Sequence, residues 1–399
     1  MIGGLAVLPQ TAWAAVALPD RVPLTLELLQ ARLKSPTQNE GMRTVDLRQF
    51  VIDLRPENAA FRDQFYHLLR SQVQRSNVAL GLDFSYSVIQ GEFRIGEIGI
   101  QTSLYGQAAL PIFNEAEQAQ LARDRRRLSQ LSQLSRSLLV QSQLAPLQIT
   151  VMRGTLTFVQ TEFEGFVNFT NTFFLGRIEA QGATFTQEAD WSEARFSQSV
   201  NFANAVFQRD LRFRSAIFFN RARFNQALFQ GAANFQSSEF QASANFNQAM
   251  FQQIANLTRV QWRETADFSQ TRWQETVFFD RDKFSQSLFL SEATFERPVS
   301  FRQVQFEQSV NLRGAAILDQ ADFADANFAE RAYLNVPNLQ FDPRQARILG
   351  NPGKIGKVLS VPTLQGNETL LRNLIQNFRQ LQEISDANDV QYTAEKLRL

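Results

Sequence analysis

From Leu147 onward the large apolar residues fall on a lattice of alternating five- and six-residue steps. The series begins Leu147, Met152, Phe158, Phe163, Phe169, Phe174, Ala180, Phe185, Trp191 and continues through Phe246 to Phe328, Leu334 and Leu339, 36 positions without a slip. Phe fills 24 of them and Trp three, and only Ala180 is small. Two residues before most centres stands a small or β-branched side chain, as at Ala194, Val200, Ala205, Ala233, Ala244 and Ala266, and polar residues fill the rest. An 11-residue period also occurs in right-handed coiled coils. On a helix, however, these steps would split the Phe set into two opposed stripes, and the segment is rich in Asn, Thr, Ser and Phe, which are poor helix formers. A single flat strand fails as well, because an odd step moves a side chain to the other face. The pattern predicts a chain that turns a corner between successive centres. Each centre and the small residue two before it then point inward, and the polar corners point out.

On these residues the chain resembles the pentapeptide-repeat family, whose unit is a small residue, a polar residue, a central Leu or Phe and two polar residues. The unit is legible as Ala-Asn-Phe at 233–235, 244–246 and 326–328, Ala-Asn-Leu at 255–257, and Ala-Asp-Phe at 266–268 and 321–323. The resemblance implies an all-β solenoid, a right-handed quadrilateral β-helix, over 147–339. The extra residue at every second corner lengthens each coil, so that four steps run, for example, from Phe224 to Phe246, with two tight and two wider corners. Nine coils at the ~4.8 Å spacing of neighbouring strands make a rod about 43 Å long. Trp191, Trp262 and Trp273 then need local room and an indole partner, and Ala180 leaves a gap or is compensated by a neighbour such as Ile178.

A weaker rhythm precedes the main run, within a first region of weak coils at 44–104. Leu47 and Ile52 are one step apart, and Phe84, Ile89, Ile95 and Ile100 run five, six, five. Both breaks fall where a six-residue step is due, which predicts two helical insertions leaving the solenoid at wider corners. The first, about 56–79, opens with Pro56, a good first-turn residue, and carries the apolar stripe Phe61, Phe65, Leu68 and Leu69. The second, 105–146, opens at Asn114 with Glu117 in a capping-box arrangement and carries Leu121, Leu128, Leu131, Leu134 and Leu138. These helices either cap the end of the solenoid against edge pairing or form a partner-binding surface. The cluster Arg123, Arg125, Arg126 and Arg127 reads as a solvated helix face or as a site for anionic lipid or an acidic partner. His67 reads as a surface histidine.

Ahead of a lead-in at 18–43, residues 1–17 form an apolar, signal-like segment. Ile2 to Leu8 is apolar, and Ala12-Trp13-Ala14 has the small-residue pattern of a cleavage site. No basic n-region precedes it, so the expectation is a secretory leader whose start lies upstream of Met1, with an apolar tail as the plainer alternative. Beyond the repeat, 340–366 is rich in Gly and Pro and predicts a linker. An amphipathic helix is expected over 367–399, with Leu371, Leu374, Phe378 and Leu381 on one side. It either docks on the last coil or self-associates. Phe378-Arg379-Gln380-Leu381, Asp386-Ala387-Asn388 and Tyr392 are similar to a segment of exported cyanobacterial pentapeptide-repeat proteins, in some of which a membrane ion-channel module follows. No such module follows within the 399 residues.

Composition narrows the chemistry. There is no Cys and one His, which removes disulfides, thiolate metal sites and multi-histidine centres. Cations and anions number 40 and 39, of which 35 cations are Arg, so a nucleic-acid-binding surface is disfavoured. Within 147–339 there are 17 basic and 20 acidic residues, a net of −3. Some family members inhibit DNA gyrase by resembling duplex DNA, and that role asks for a far more acidic rod. No Gly-rich phosphate loop or zinc-protease motif appears, so no catalytic, cofactor-binding or metal-binding residue is assigned. The expectation is a non-enzymatic protein-interaction or structural scaffold of the periplasm, thylakoid lumen or exterior, with membrane association allowed. Its protein partner is unidentified, and a homodimer through the solenoid end or the C-terminal helix is open. The alternative is the extracytoplasmic part of a channel-type membrane protein.

Overall fold

The computed structural model describes residues 21–39, 41–103, 122, 148–359 and 367–398. The leader-like segment 1–17, Leu147, and the 105–146 features from Asn114 to Leu138, with the Arg123–Arg127 cluster, lie outside the described residues. The chain forms a parallel four-sided solenoid of about nine regular turns, with helices at both ends. Its four sheets, here faces 1 to 4 in chain order, hold 12, 12, 10 and 10 strands. One coil shows the pattern. Leu156–Thr157 lies on face 1, Glu162–Phe163 on face 2, Val167–Asn168 on face 3 and Thr172–Phe174 on face 4, before Ile178–Glu179 returns to face 1. Register advances by one whole coil per rung, as in Ala222↔Ala244 and Phe229↔Phe251.

The lattice is the interior. From Met152 to Phe323 every centre is at most 3 % exposed, and the small residues two before them, such as Ala194, Ala233 and Ala266, are as deeply buried. Rings stack along each face with nearly parallel planes: Phe218–Phe240 at 4.4 Å, Phe229–Phe251 at 4.4 Å, Phe224–Phe246 at 4.8 Å and Phe301–Phe323 at 4.8 Å. Ala180 is fully buried, one rung below Phe202 on face 1. Trp191, on the opposite face 3, reaches over to meet the face 1 ring of Phe202 edge-on at 5.3 Å. Two of the three indoles find acceptors. Trp273 Nε1 donates to Thr271 Oγ1 at 2.9 Å and Trp262 Nε1 to Asp282 Oδ2 at 3.0 Å, whereas Trp191 Nε1 has no acceptor among the described residues.

The tight corners follow faces 1 and 3. Each is a four-residue turn closed from the centre's carbonyl, as in Ala194 N→Trp191 O and Ala249 N→Phe246 O. The third residue of the turn has positive φ, at 59° for Glu193, 59° for Ser237 and 60° for Gln248, with Gly182 and Gly314 taking the same place in two coils. This conformation costs an L-residue about 1–2 kcal/mol. Ser237→Gly should therefore raise the unfolding midpoint slightly, and Ser237→Val should lower it. Equal midpoints for the two variants would contradict the left-handed corner.

The ends depart from the regular plan, and so correct parts of the expectation. At the start, α1 (Leu26–Lys34) buries Leu29 and Leu33, and Thr37–Asn39 pairs antiparallel with Met42–Asp46 at the edge of face 1. The first insertion is α2 (Ala59–Arg75), which leaves after face 2 at a wide corner and buries Phe61, Phe65 and Leu69; Leu68 is half-buried. The second break does not fall at a wide corner. Ile100–Ser103 runs antiparallel to Gln148–Met152, with Ile100 opposite Val151, and Met152 takes the face 4 place expected of Ile100. This reversal covers an otherwise open sheet edge.

The lattice also slips near its end. Val310 pairs with Leu334, two positions beyond a regular coil, so two extra residues sit in the wide corner after Phe328. Val336 and Phe341 are therefore the last centres, and Leu334 and Leu339 occupy the small-residue places, still buried. The expected linker is partly solenoid, because Gln340–Phe341 and Arg347–Leu349 pair with the coil below. It continues into α3 (Ile355–Leu359).

Two further helices close the rod: α4 (Glu368–Gln380) and α5 (Ile384–Arg398). Leu371, Leu374 and Phe378 turn onto the last coil, while Leu381 is half-buried. Buried Asn377 stands in for the next strand. Its Oδ1 accepts from Ile348 N at 3.2 Å and its Nδ2 donates to Ile348 O at 2.9 Å. Asp386 is also fully buried, accepting from Gly353 N at 2.6 Å and Gly356 N at 2.7 Å. Asn377→Leu should strand the Ile348 backbone groups, at a cost of about 1–3 kcal/mol. The freed edge should show as concentration-dependent association in sedimentation velocity. A variant with unchanged stability would exclude the strand-mimic role.

Candidate binding surface

The outward residues are positioned by the same turns that shape the core. On faces 1 and 3 the residue before the centre is often Asn or Asp, and its side chain accepts from the backbone N–H two residues on. Asn245 Oδ1 takes Asn247 N at 2.8 Å, Asn234 Oδ1 takes Gln236 N at 3.0 Å, and Asp267 Oδ1 takes Ser269 N at 2.9 Å. These Asx turns explain why Ala-Asn-Phe and Ala-Asp-Phe recur at those places. At the face 1 corners the left-handed residues join along the axis. Gln226 Nε2 donates to Gln248 Oε1 at 2.8 Å, Gln248 Nε2 to Gln270 Oε1 at 2.8 Å, and Gln270 Nε2 to Glu292 Oε2 at 2.9 Å.

Beside this ladder, face 1 carries an open groove of about 700 Å³ lined by Asn201, Arg223, Asn245, Asp267, Gln226 and Gln248, among others. Elsewhere many arginines are matched by carboxylates one coil away, as in Arg212–Glu188 at 2.7 Å, Arg263–Glu239 at 3.0 Å and Arg302–Asp322 at 3.3 Å. Burial pushes the Glu239 carboxyl up, and Arg263 acts against that shift. Arg223 is exposed and makes no ion pair with a described residue.

A second cleft, about 450 Å³, lies along α2 and includes exposed His67. Its charges are internally matched: Arg62 with Asp63 at 3.0 Å, Arg70 with Glu97, and Arg94 with Glu92. Tyr66 is committed to structure. Its hydroxyl donates to Glu92 O and accepts from Arg94 N, both at 3.0 Å, and burial pushes its ionisation far up. Neither a free phenol nor an unmatched cation is left there for a reaction. Among the described residues no group of three or more His, Asp or Glu side chains could hold a metal, and no helix is long and apolar enough to cross a membrane.

Sequence reading missed the Asx residues, the axial glutamine ladder and the capping pair Asn377 and Asp386. The Asn or Asp one before alternate centres was a visible signal for the first. Nothing in the local pattern around Asn377 or Asp386 marks either as a cap.

A parallel four-sided solenoid with inward Phe ladders and turn-fixed polar exteriors defines a repeat protein. A family model for pentapeptide repeats matches in nine copies over residues 192–239 and 290–335, so these parts of the solenoid are pentapeptide repeats. The stretch between the two matches holds Leu257, Trp262 and Trp273 at centres, yet pairs in unbroken register. No curated protein and no solved structure matches the chain.

Proposed function

We propose that the protein is a non-enzymatic binding scaffold that works outside the cytoplasm. The observation that carries the binding role is the rigid polar exterior, whose side chains are held in rows by Asx turns and axial ladders. Such solenoid surfaces suit extended partners. The apolar run and Ala12-Trp13-Ala14 support export. The net charge of −3 over 147–339 argues against mimicry of a polyanion such as DNA. The test is fractionation of cells that carry the gene with its own upstream sequence, encoding either the full chain or a chain from which the leader through residue 17 is removed, with affinity capture from the extracytoplasmic fraction. The full chain should be recovered outside the cytoplasm together with a bound component, and the shortened chain should stay inside. Recovery of both chains only in the cytoplasm would overturn the export reading.

A further inference from the structure

The face 1 groove has a narrower chemistry than its polarity suggests. Asn201, Arg223, Asn245, Asp267 and Phe289 occupy one outward column, paired rung to rung. At ~4.8 Å per rung the column spans about 19 Å. Over these five positions one cation and one anion cancel, and the next residue below is the acidic Glu179, so the column lacks the basic stripe that a polyanion needs. Ala203 is the one apolar residue among the described residues lining the groove, and a lone ring, Phe289, stands just beyond it in the column, short of the clustered aromatic anchors of a protein–protein hot spot.

What the column does offer is hydrogen bonding that is set in advance. Oδ1 of Asn201 accepts from Ala203 N at 3.1 Å, and Oδ1 of Asn245 from Asn247 N at 2.8 Å. Each amide is therefore held in one rotamer before a ligand arrives, which lowers the ordering cost of binding. Asn201 Nδ2 already donates to Glu179 Oε2 at 3.2 Å, whereas Asn245 Nδ2 donates to no other described residue and is the open donor of the column. The complement of fixed amide donors and acceptors at zero net charge is a neutral chain dense in hydroxyls, each of which both donates and accepts. The coil spacing is close to the length of one pyranose ring. Half-buried Phe289 adds an apolar ring at the end of the column, on which the apolar side of a sugar can lie.

We propose that face 1 binds a neutral glycan chain along the rod axis, with Asn201, Arg223, Asn245 and Asp267 as hydrogen-bonding partners and Phe289 as the stacking platform. This rests on the reading of the rod as a binding scaffold. The test is calorimetric titration of the full chain with cellohexaose, xylohexaose and chitohexaose, with heparin and an unstructured peptide as comparators. At least one neutral hexaose should bind. Asn245→Asp keeps the turn acceptor and removes the outward N–H donors, and should weaken that binding about fivefold, as for one lost hydrogen bond. Phe289→Ala should weaken it at least as much, and Asn234→Asp, its counterpart on face 3, should leave it unchanged. Binding that ignores both face 1 substitutions would overturn the assignment, as would a protein that binds heparin or peptide and no hexaose. A cytoplasmic protein that binds a hexaose through face 1 would refute the export reading and leave this one standing.

Discussion

Phe246→Ala should cost about 3–5 kcal/mol of stability, measured as a drop in the urea unfolding free energy of the full chain. The ring is fully buried, stacked between Phe224 at 4.8 Å and Phe268 at 4.6 Å, with Phe235 edge-on at 5.6 Å. Ring removal leaves a void that the coil closes poorly, because the backbone bonds Phe224 N→Asn245 O and Phe246 N→Asp267 O, both 2.7 Å, hold neighbouring rungs at fixed spacing. Each coil contacts only its neighbours, so hydrogen exchange should accelerate most in the rungs on either side. Phe328→Ala, at the half-buried end of face 4, should cost clearly less. A loss below about 1 kcal/mol at Phe246 would contradict the stacked interior.

The second large effect concerns Asp282, a fully buried carboxyl in a column otherwise held by small or apolar residues, with Val260 and Val304 one coil below and above. It accepts from Val260 N at 2.7 Å and from Trp262 Nε1 at 3.0 Å. Asp282→Val should strand the buried Trp262 Nε1–H at about 1–3 kcal/mol, although valine fits the column and Val260 N keeps its turn bond to Leu257 O at 3.3 Å. Trp262→Phe alone leaves a buried carboxyl without its indole partner. The double variant restores the plain ladder of the other coils and should return to within about 1 kcal/mol of the parent, which is a strong coupling in a double-mutant cycle. A double variant that merely sums the two losses would refute it.

The pair also has a pH signature. Burial pushes the Asp282 carboxyl well above its ordinary value and outweighs the hydrogen bonds that favour the charged form. The folded protein thus retains a proton that the unfolded chain has released. That contribution is fully present below the ordinary Asp pKa and is lost as pH rises toward the folded-state value. The double variant should lack this fall in stability with rising pH. An identical pH profile in parent and double variant would exclude Asp282 as its source.

How much was legible in the sequence depended on how local the cause was. The Phe lattice revealed the fold because inward placement is enforced at every face, so one rule repeats from Phe158 to Phe328. Leu334 and Leu339 were misplaced because Leu suits both inward positions, and only the pairing of Val310 with Leu334 separates them. Ile100 misled for a related reason, since an antiparallel edge strand buries the same residue type. The groove on face 1 was not legible as a site. Its members lie one whole coil apart in sequence and look like ordinary corner polarity until the coils are stacked. Asn377 likewise acquires meaning only from the distant Ile348 backbone.

The alternation of tight and wide corners makes the half-coil, one five-residue step and one six-residue step, the true repeating object. Faces 1 and 2 map onto faces 3 and 4 by a half-turn and half a rung, a twofold screw along the rod. The core is blind to this operation, because both halves present the same Phe and Ala places. Loss or gain of a whole coil would return every outward row to its own side, whereas a change of half a coil would carry all later rows to the opposite side. Chain length in this architecture is thus quantised twice, once for folding and once for which side a surface feature faces.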